Sequence, residues 1–370
     1  MSVYMKVLII GSGGREHAIC WAIKKSKKVD EIYCIPGNGG TSSIANNVDI
    51  DLDNFLKIKE FIQKNSINLV IIGPEKPLVD GLVDFLENNK IKVFGPNKFA
   101  AQLEGSKIFT KKICAKYKIP TAQYGVFKNK EDALKILDNF TFPIVVKADG
   151  LASGKGVYIC NDSLEFEIAV KEIFNGKFGV AKEILIEEFL KGEEMSFFII
   201  SDGKSFKFFG TAQDHKKVNE GDNGPNTGGM GAYSPSRFEN INMEEKIINR
   251  VIKPTLKALK DSKSEYKGFL YAGLMIVNNE PYLIEYNVRM GDPECQTILP
   301  RLKTDFLEVI NSCVNKELEK INFEWSDKKS LCIVLCSKGY PENYDNKIII
   351  KDLKEISTNY DEYLFHAGTI

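Results

Sequence analysis

The feature that most constrains this chain is the alternation, over its first hundred residues, of short β-rich runs with amphipathic stretches. The runs KVLIIG, EIYCIPG, LVIIGP and KVFGP each end in glycine or proline, as strands do. Between them lie EHAICWAIKKSKK, NFLKIKEFIQKN and PLVDGLVDFLENN, whose apolar residues recur at the three- and four-residue spacing of a helix. Strands alternating with helices build a parallel sheet, and ligands of such sheets sit at the carboxyl ends of the strands. The first of those ends is the turn GSGGREHA at residues 11–18.

That turn resembles half of a dinucleotide fingerprint. Gly11 and Gly13 fit, but Glu16 stands where the third glycine belongs, and EIYCIPGNGG has no acid for a ribose at its end. A nicotinamide dehydrogenase is therefore disfavoured. What remains is a backbone-lined turn at a helix N-terminus, suited to an oxyanion, to which Arg15 and His17 add side chains. Asn38, Gly39 and Gly40, behind the next strand, are candidates to line the same crevice.

The texture changes from about residue 105. GSKIFTKKICAKYKIP reads as a helix stopped by proline, EDALKILDNF as an amphipathic stretch, and FPIVVKADG as a buried strand. AKEILIEEFLKGEEMSFFIISDG reads as two strands paired around a short connection, and AQDHKKVNEGDNGPNTGGMGAYSP as a long loop, either functional or disordered. EEKIINRVIKPTLKALK and TDFLEVINSCVNKELEK read as helices, GFLYAGLMIV and PYLIEYNV as strands, and the tail with LCIVLC and KIIIKDL as a small β-rich unit. Within LCIVLC, the Cys332 and Cys336 thiols are expected in a core beside Val334.

Fifty basic residues balance fifty acidic ones, so no global field favours nucleic acid or an anionic membrane. Only five of the cations are arginine, and Arg15 and Arg289 both fall in glycine-bearing motifs. Either they bind oxyanions with their guanidinium forks or they are ordinary surface charges. The eight cysteines form no C-x-x-C pair, which argues against structural zinc and for reduced thiols. No run reaches membrane-spanning length and no leader is visible, so a cytoplasmic protein is expected.

Lys147 ends an apolar strand and is followed by the glycine-rich GLASGKG, which is either a lid over phosphates or a plain hairpin turn. It lacks the spacing of a P-loop. Glu187, Leu190 and Glu194 recur at intervals that could present an acid and a backbone edge to adenine and a second acid to a ribose. In LIEYNVRMGDPE, Glu285 and Asn287 share one strand face as two oxygen ligands suited to Mg²⁺, and Arg289 follows on that face.

Taken together, GSGGREHA, PGNGGT, KADGLASGKG, IEEFLKGEE, QDHK, GPNTGGMGAYSP, GFLYAGLM, EYNVRMGDPE and FHAGT resemble, in order, the motifs of the phosphoribosylamine–glycine ligase family of ATP-grasp enzymes. The resemblance implies an α/β chain of three units: an N-terminal parallel-sheet domain over 1–104, an ATP-grasp domain over 105–326 with a lid near 119–192, and a partial, β-rich C-terminal domain over 327–370. It implies ligation of glycine to 5-phosphoribosylamine through glycyl phosphate, with ATP and Mg²⁺ or Mn²⁺, by a monomer or dimer.

By motif matching, Lys107 and Lys147 would contact the ATP phosphates, and Gly150, Ser153, Gly154 and Gly156 would cover them. Glu187, Leu190 and Glu194 would take the nucleoside, and Glu285 and Asn287 the metal. Arg289 would orient the carboxylate or acyl phosphate. Asp214, either an ammonium ligand or a solvated loop residue, joins Arg289 and Lys147 as the catalytic candidates. Gly13, Gly14, Arg15, Glu16, Asn38, Gly39 and Gly40 would hold the 5-phosphate, while Asn226, Gly228, Gly229 and Asp292 would close the acceptor pocket. Two departures from the family pattern stand out. The strand FLYAGLMIV carries no further acidic metal ligand, and the family usually continues past FHAGT where this chain stops at Ile370. The rival expectations are another ATP-grasp carboxylate–amine ligase or carboxylase, and a nucleotide-binding protein without turnover.

Overall fold

The computed structural model describes residues 4–136, 141–151, 156–179, 182–221, 223–351, 353 and 361–370. The N-terminal domain is the expected parallel sheet, with strands β1 (Met5–Gly11), β2 (Val29–Pro36), β3 (Asn46–Asn47), β4 (Leu69–Ile72) and β5 (Val93–Phe94) in the order β3-β2-β1-β4-β5. Val7 through Ile10 are wholly buried because both faces of β1 are covered, which is why this strand reads as an unbroken apolar run. In register, Ile10 lies beside Ile35 and Ile72, so Gly11, Gly37 and Gly73 gather at one edge. Helix α1 (Gly14–Lys24) starts there. The stretch PLVDGLVDFLENN forms two helices, Glu75–Asp80 and Leu82–Asn88, where one was expected. Gly81 breaks it at φ +98°, a left-handed conformation that glycine adopts without strain.

Beyond the N-terminal sheet the chain forms two antiparallel sheets. The smaller carries β6 (Tyr124–Phe127), β7 (Ile144–Ala148), β8 (Val157–Cys160) and β9 (Ile184–Glu188) in the order β6-β9-β7-β8. The larger carries β10 (Glu193–Asp202), β11 (Phe206–Asn219), β12 (Asn223–Ser234), β13 (Lys267–Val277), β14 (Glu280–Asn287) and β15 (Ser330–Ile333), ordered β14-β13-β10-β11-β12-β15.

Several sequence expectations are corrected here. β9 and β10 do not pair; residues 189–192 carry the chain from one sheet to the other. The long polar segment is no loop but the β11–β12 hairpin, with Gln213 opposite Tyr233 and Asp214 opposite Ala232. EEKIINRVIKPTLKALK runs as Ile241–Ile247 and Lys253–Asp261 joined by a π-helical turn, as fits a proline, Pro254, that lacks an N–H. The strand of LCIVLC pairs with β12 and so extends the large sheet. Cys336 is exposed and Cys332 only partly covered, so neither thiol sits in a core. No strand follows Ile333 among the described residues.

The N-terminal sheet and the large sheet share their cores. Leu8, Ile10 and Val70 cluster with Phe197, Ile199 and Leu270, and Val7, Ile9 and Ile71 with Phe198, Phe209 and Phe269. The small sheet has a core of its own, built from Ile144, Val146, Ile184 and Ile186 against Phe166 and Val170 of the helix Ser163–Phe174. It is thus joined to the rest as a separable layer. Among the described residues no helix is long and apolar enough to cross a membrane.

Candidate active site

One large cleft opens between these layers, lined by the N-terminal turn, the small sheet, the large sheet and the C-terminal residues. The side of it expected to take the nucleotide begins on the helix Lys107–Tyr117, where Lys107 and Lys111, four residues apart, lie on one face. Ser106 caps this helix, and its hydroxyl also bonds Asp149, which accepts from the Ile108 N–H as well. That fixes the start of the glycine-rich loop against the helix. Lys107 Nζ donates to the Gly150 carbonyl at 2.9 Å, and burial lowers its pKa. Gly150 adopts φ +97° and lines the cleft, whereas Gly156 is buried at the entry to β8. Ser153 and Gly154 lie outside the described residues.

Lys147 on β7 and Glu187 on β9 are diagonal neighbours on one sheet face. Glu187 is clasped between two ammonium groups: Lys147 Nζ and Lys111 Nζ each lie 2.7 Å from one of its oxygens. Burial would raise its pKa, but Lys147 and Lys111 together hold it below the ordinary carboxylate range. Lys111 also donates to Thr121 Oγ1 at 2.5 Å. It was missed in the sequence, although its four-residue offset from Lys107 marks it. Leu190 lines the cleft within the link between the two sheets. Glu194, exposed on β10, lies 3.3 Å from Lys216 Nζ, whose pKa Glu194 raises.

The metal candidates alternate onto one face of β14. Burial alone would raise the Glu285 pKa, but Lys216, Lys147, Lys107 and Arg289 hold it ionised. Directly across on β13 stand Gly273 and Tyr271, so that strand sets no third acid against the pair. Among the described residues no group of three acidic, histidine or cysteine ligands forms a metal cage. An ionised carboxylate and an amide oxygen nonetheless fit Mg²⁺ or Mn²⁺, hard ions that take most remaining ligands from phosphates and water. Lys216, 3.7 Å from Glu285 Oε1, shares a sheet face with Asp214 two residues earlier, a spacing that could have revealed it.

Arg289 lines the cleft, but its fork is engaged by carboxylates from the other domain. NH2 donates to Glu104 Oε1 at 2.7 Å and to Asn287 Oδ1 at 3.1 Å, and Nε lies 3.2 Å from Glu75. Glu75 follows β4, where a ligand-binding residue of a parallel sheet is expected, yet it too was missed.

Asp214 on β11 has a buried Oδ1 without a hydrogen-bond partner. Burial, with Glu294 nearby and against the pull of Lys216, pushes its pKa up to about 8. Gly229, at φ +131° on β12, comes so close that a side chain there would overlap Pro293 and lie 2.9 Å from Asp214 Oδ1. Asn226 and Gly228 line the same wall.

The N-terminal turn corrects the reading of its own residues. Glu16 is buried and spends its carboxylate inside the turn: Oε2 accepts the Gly13 N–H at 2.6 Å and Oε1 the Arg15 Nε at 2.5 Å. It supplies the back-reaching half of an N-terminal cap, the Gly13 N-cap having no side chain to complete a box, and does not line the cleft. Arg15 NH1 donates to the Met290 carbonyl, tying the domains together. The anion at the α1 N-terminus is the chain's own Asp292, whose Oδ2 accepts the Arg15 N–H at 3.1 Å; Gly13 and Gly14 lie against the same carboxylate. Asn38 is also structural: Oδ1 accepts the Gly40 and Thr41 N–H groups, and Nδ2 donates to Ser12 and His366 carbonyls. Gly14, Arg15, Gly39 and Asp292 remain as the lining of this end.

Comparison with known proteins gives the family. Residues 5–104 match the family model described as phosphoribosylglycinamide synthetase, N domain, and residues 105–295 the ATP-grasp (A) domain of the same family. The phosphoribosylamine–glycine ligase of Brucella melitensis is 46% identical over 99% of this chain and 86% of its own length. That of Agrobacterium fabrum is 48% identical over the same shares. The crystal structure of the Thermotoga maritima phosphoribosylamine–glycine ligase superposes with a TM-score of 0.80 at 34% identity, covering 92% of this chain and 83% of the other. With both domains matched and the cleft lying between them, the chain belongs to the phosphoribosylamine–glycine ligase family.

Proposed function

We propose that this chain ligates glycine to 5-phosphoribosylamine with ATP, giving glycinamide ribonucleotide, ADP and phosphate, a step of purine biosynthesis. The observation that carries the reading is that the lysine-lined nucleotide wall and the N-terminal turn face one cleft in a chain matching the family throughout. Glycine's carboxylate oxygen attacks the γ-phosphorus of ATP and ADP leaves. The amine of phosphoribosylamine then attacks the acyl carbon of glycyl phosphate, phosphate leaves with the bridging oxygen, and the nitrogen loses a proton.

Phosphoryl transfer asks of a protein mainly positioning and charge. Lys107 and Lys147 supply cations on the nucleotide side, with Lys111 balancing Glu187 so that these four groups keep a net positive charge. Mg²⁺ or Mn²⁺ held by Glu285 and Asn287 would draw charge off the β- and γ-phosphates. Arg289, braced by Glu75 and Glu104, faces the reacting carboxylate. Asp214 takes an ammonium group, and Gly229 keeps that pocket small. Gly14, Arg15, Gly39 and Asp292 bound the acceptor. We place the enzyme in the cytoplasm, as a monomer or dimer.

The test is coupled measurement of ADP release with each substrate omitted in turn. Release that needs ATP, glycine and phosphoribosylamine together supports the reading. Release without phosphoribosylamine, or equally well with other amino acids, points to a different ATP-grasp ligase or carboxylase.

A further inference from the structure

The C-terminal motif FHAGT has no role in the chemistry above, yet it lies on the N-terminal domain. Residues 363–369 run along α1. Tyr363 and Phe365, two apart, pack on Trp21 with ring centroids 4.6 and 5.7 Å away, and Phe365 meets His17 edge-on at 5.6 Å. His17 and Trp21 are four apart and so share one helix face.

Beyond the rings the contact becomes polar and directional. The His366 N–H donates to His17 Nδ1 at 2.9 Å, and the Gly39 N–H donates to the Thr369 carbonyl at 3.0 Å. Asn38 Nδ2 donates to the His366 carbonyl at 2.9 Å while also donating to Ser12 in the first turn. One side chain therefore ties the GSGGREHA turn, the second turn and the C-terminal segment together. Gly40 permits this closeness, since a side chain there would overlap His17 and approach His366. His366, Gly368 and Thr369 then line the cleft beside Gly14, Arg15 and Gly39. The His366 Nδ1 and Thr369 Oγ1 atoms lie 3.0 Å apart, a polar pair at that wall.

We propose that residues 365–369 form the third wall of the acceptor pocket, with His17 as the positioning residue that holds them over the Asn38–Gly40 turn. The inference rests on the functional reading above and assigns the phosphoribosylamine side of the cleft to polar groups from both ends of the chain. His17 acts only through its acceptor nitrogen. Burial and the adjacent His366 lower its pKa to about 4, so it stays neutral at working pH, with the proton on Nε2.

The experiment compares His17→Phe with His17→Gln in the complete chain. Phenylalanine keeps the ring packing and loses the acceptor; glutamine restores an acceptor without the ring. Losing one hydrogen bond that orders the wall should raise KM for phosphoribosylamine about tenfold in His17→Phe, with kcat and the KM values for ATP and glycine within about twofold. His17→Gln should return KM for phosphoribosylamine most of the way. In a Trp325→Phe background, ribose 5-phosphate should saturably change the emission of Trp21, and His17→Phe should weaken that response. Unchanged kinetics, a parallel rise of all three KM values, or His17→Gln no better than His17→Phe would overturn the proposal. If the unaltered enzyme releases ADP without phosphoribosylamine, the functional reading falls first, and this inference with it.

Discussion

The buried trio Lys111–Glu187–Lys147 offers the most quantitative test of the nucleotide wall. Lys111 is 2% exposed and makes two contacts, an ion pair with Glu187 at 2.7 Å and a hydrogen bond to Thr121 Oγ1 at 2.5 Å. Lys111→Met removes both, but Glu187 keeps Lys147 as a partner, so the loss should fall below that of an orphaned buried charge, at about 2–3 kcal/mol. Glu187→Gln is worse, about 3–5 kcal/mol, because it leaves two buried ammonium groups facing each other across a neutral amide. The double variant should cost about 1–2 kcal/mol less than the sum, since removing Lys111 relieves that repulsion. The small sheet has its own core, so the readout is hydrogen exchange of amides in β7 and β9, which reports opening of that layer. Glu187 has a depressed pKa in the fold, so its contribution is complete above the unfolded value of about 4.3 and fades as pH falls through the lower folded value. Protection from this source should therefore be flat across neutral pH. Additive losses, or a Glu187→Gln variant milder than Lys111→Met, would refute the charge-sharing argument.

Three further outcomes follow from the same geometry. Glu285→Ala should cut turnover at least about a hundredfold yet leave the thermal transition nearly unchanged, because the side chain, partly exposed in the cleft, is proposed as a metal ligand and fills no core; turnover across a Mg²⁺ titration checks it. Gly229→Ala should raise KM for glycine and destabilise by about 1–3 kcal/mol, since its φ of +131° is foreign to alanine and its Cβ would overlap Pro293, as steady-state kinetics and urea unfolding would reveal. For Asp214, with a pKa near 8, the carboxylate that binds an ammonium forms as pH rises, so kcat/KM for glycine should climb between pH 7 and 9 and Asp214→Asn should lose that limb.

Much of the fold was legible because burial writes itself into apolar runs: β1, β2, β4, β13 and β14 appear where KVLIIG, EIYCIPG, LVIIGP, GFLYAGLMIV and PYLIEYNV stand. The β11–β12 hairpin was not. Its residues face a cleft, so the polar glycine-rich pattern reports ligand space where strand patterning normally reports packing. LCIVLC misled in the opposite sense, as an apolar strand at a sheet edge with Leu331 and Ile333 exposed. In the candidate site, strand alternation pointed to Glu285 and Asn287 and a strand end beside a glycine-rich loop to Lys147, whereas Asp214 stood out only through the family resemblance of QDHK. The partnership of Arg15 with Asp292 spans 277 residues, and no local pattern carries it. In the sequence Glu16 argued against a dinucleotide by standing where a glycine belongs; the fold adds that its carboxylate closes the turn from inside.

The central claim is that glycine's own carboxylate is phosphorylated and then attacked by the amine. Glycine labelled with oxygen-18 in its carboxylate tests this directly, by mass spectrometry of the phosphate released in the full reaction. The account predicts one labelled oxygen in each phosphate formed, carried over as the former C–O–P bridge. Phosphate free of label, formed while glycinamide ribonucleotide accumulates, would contradict it.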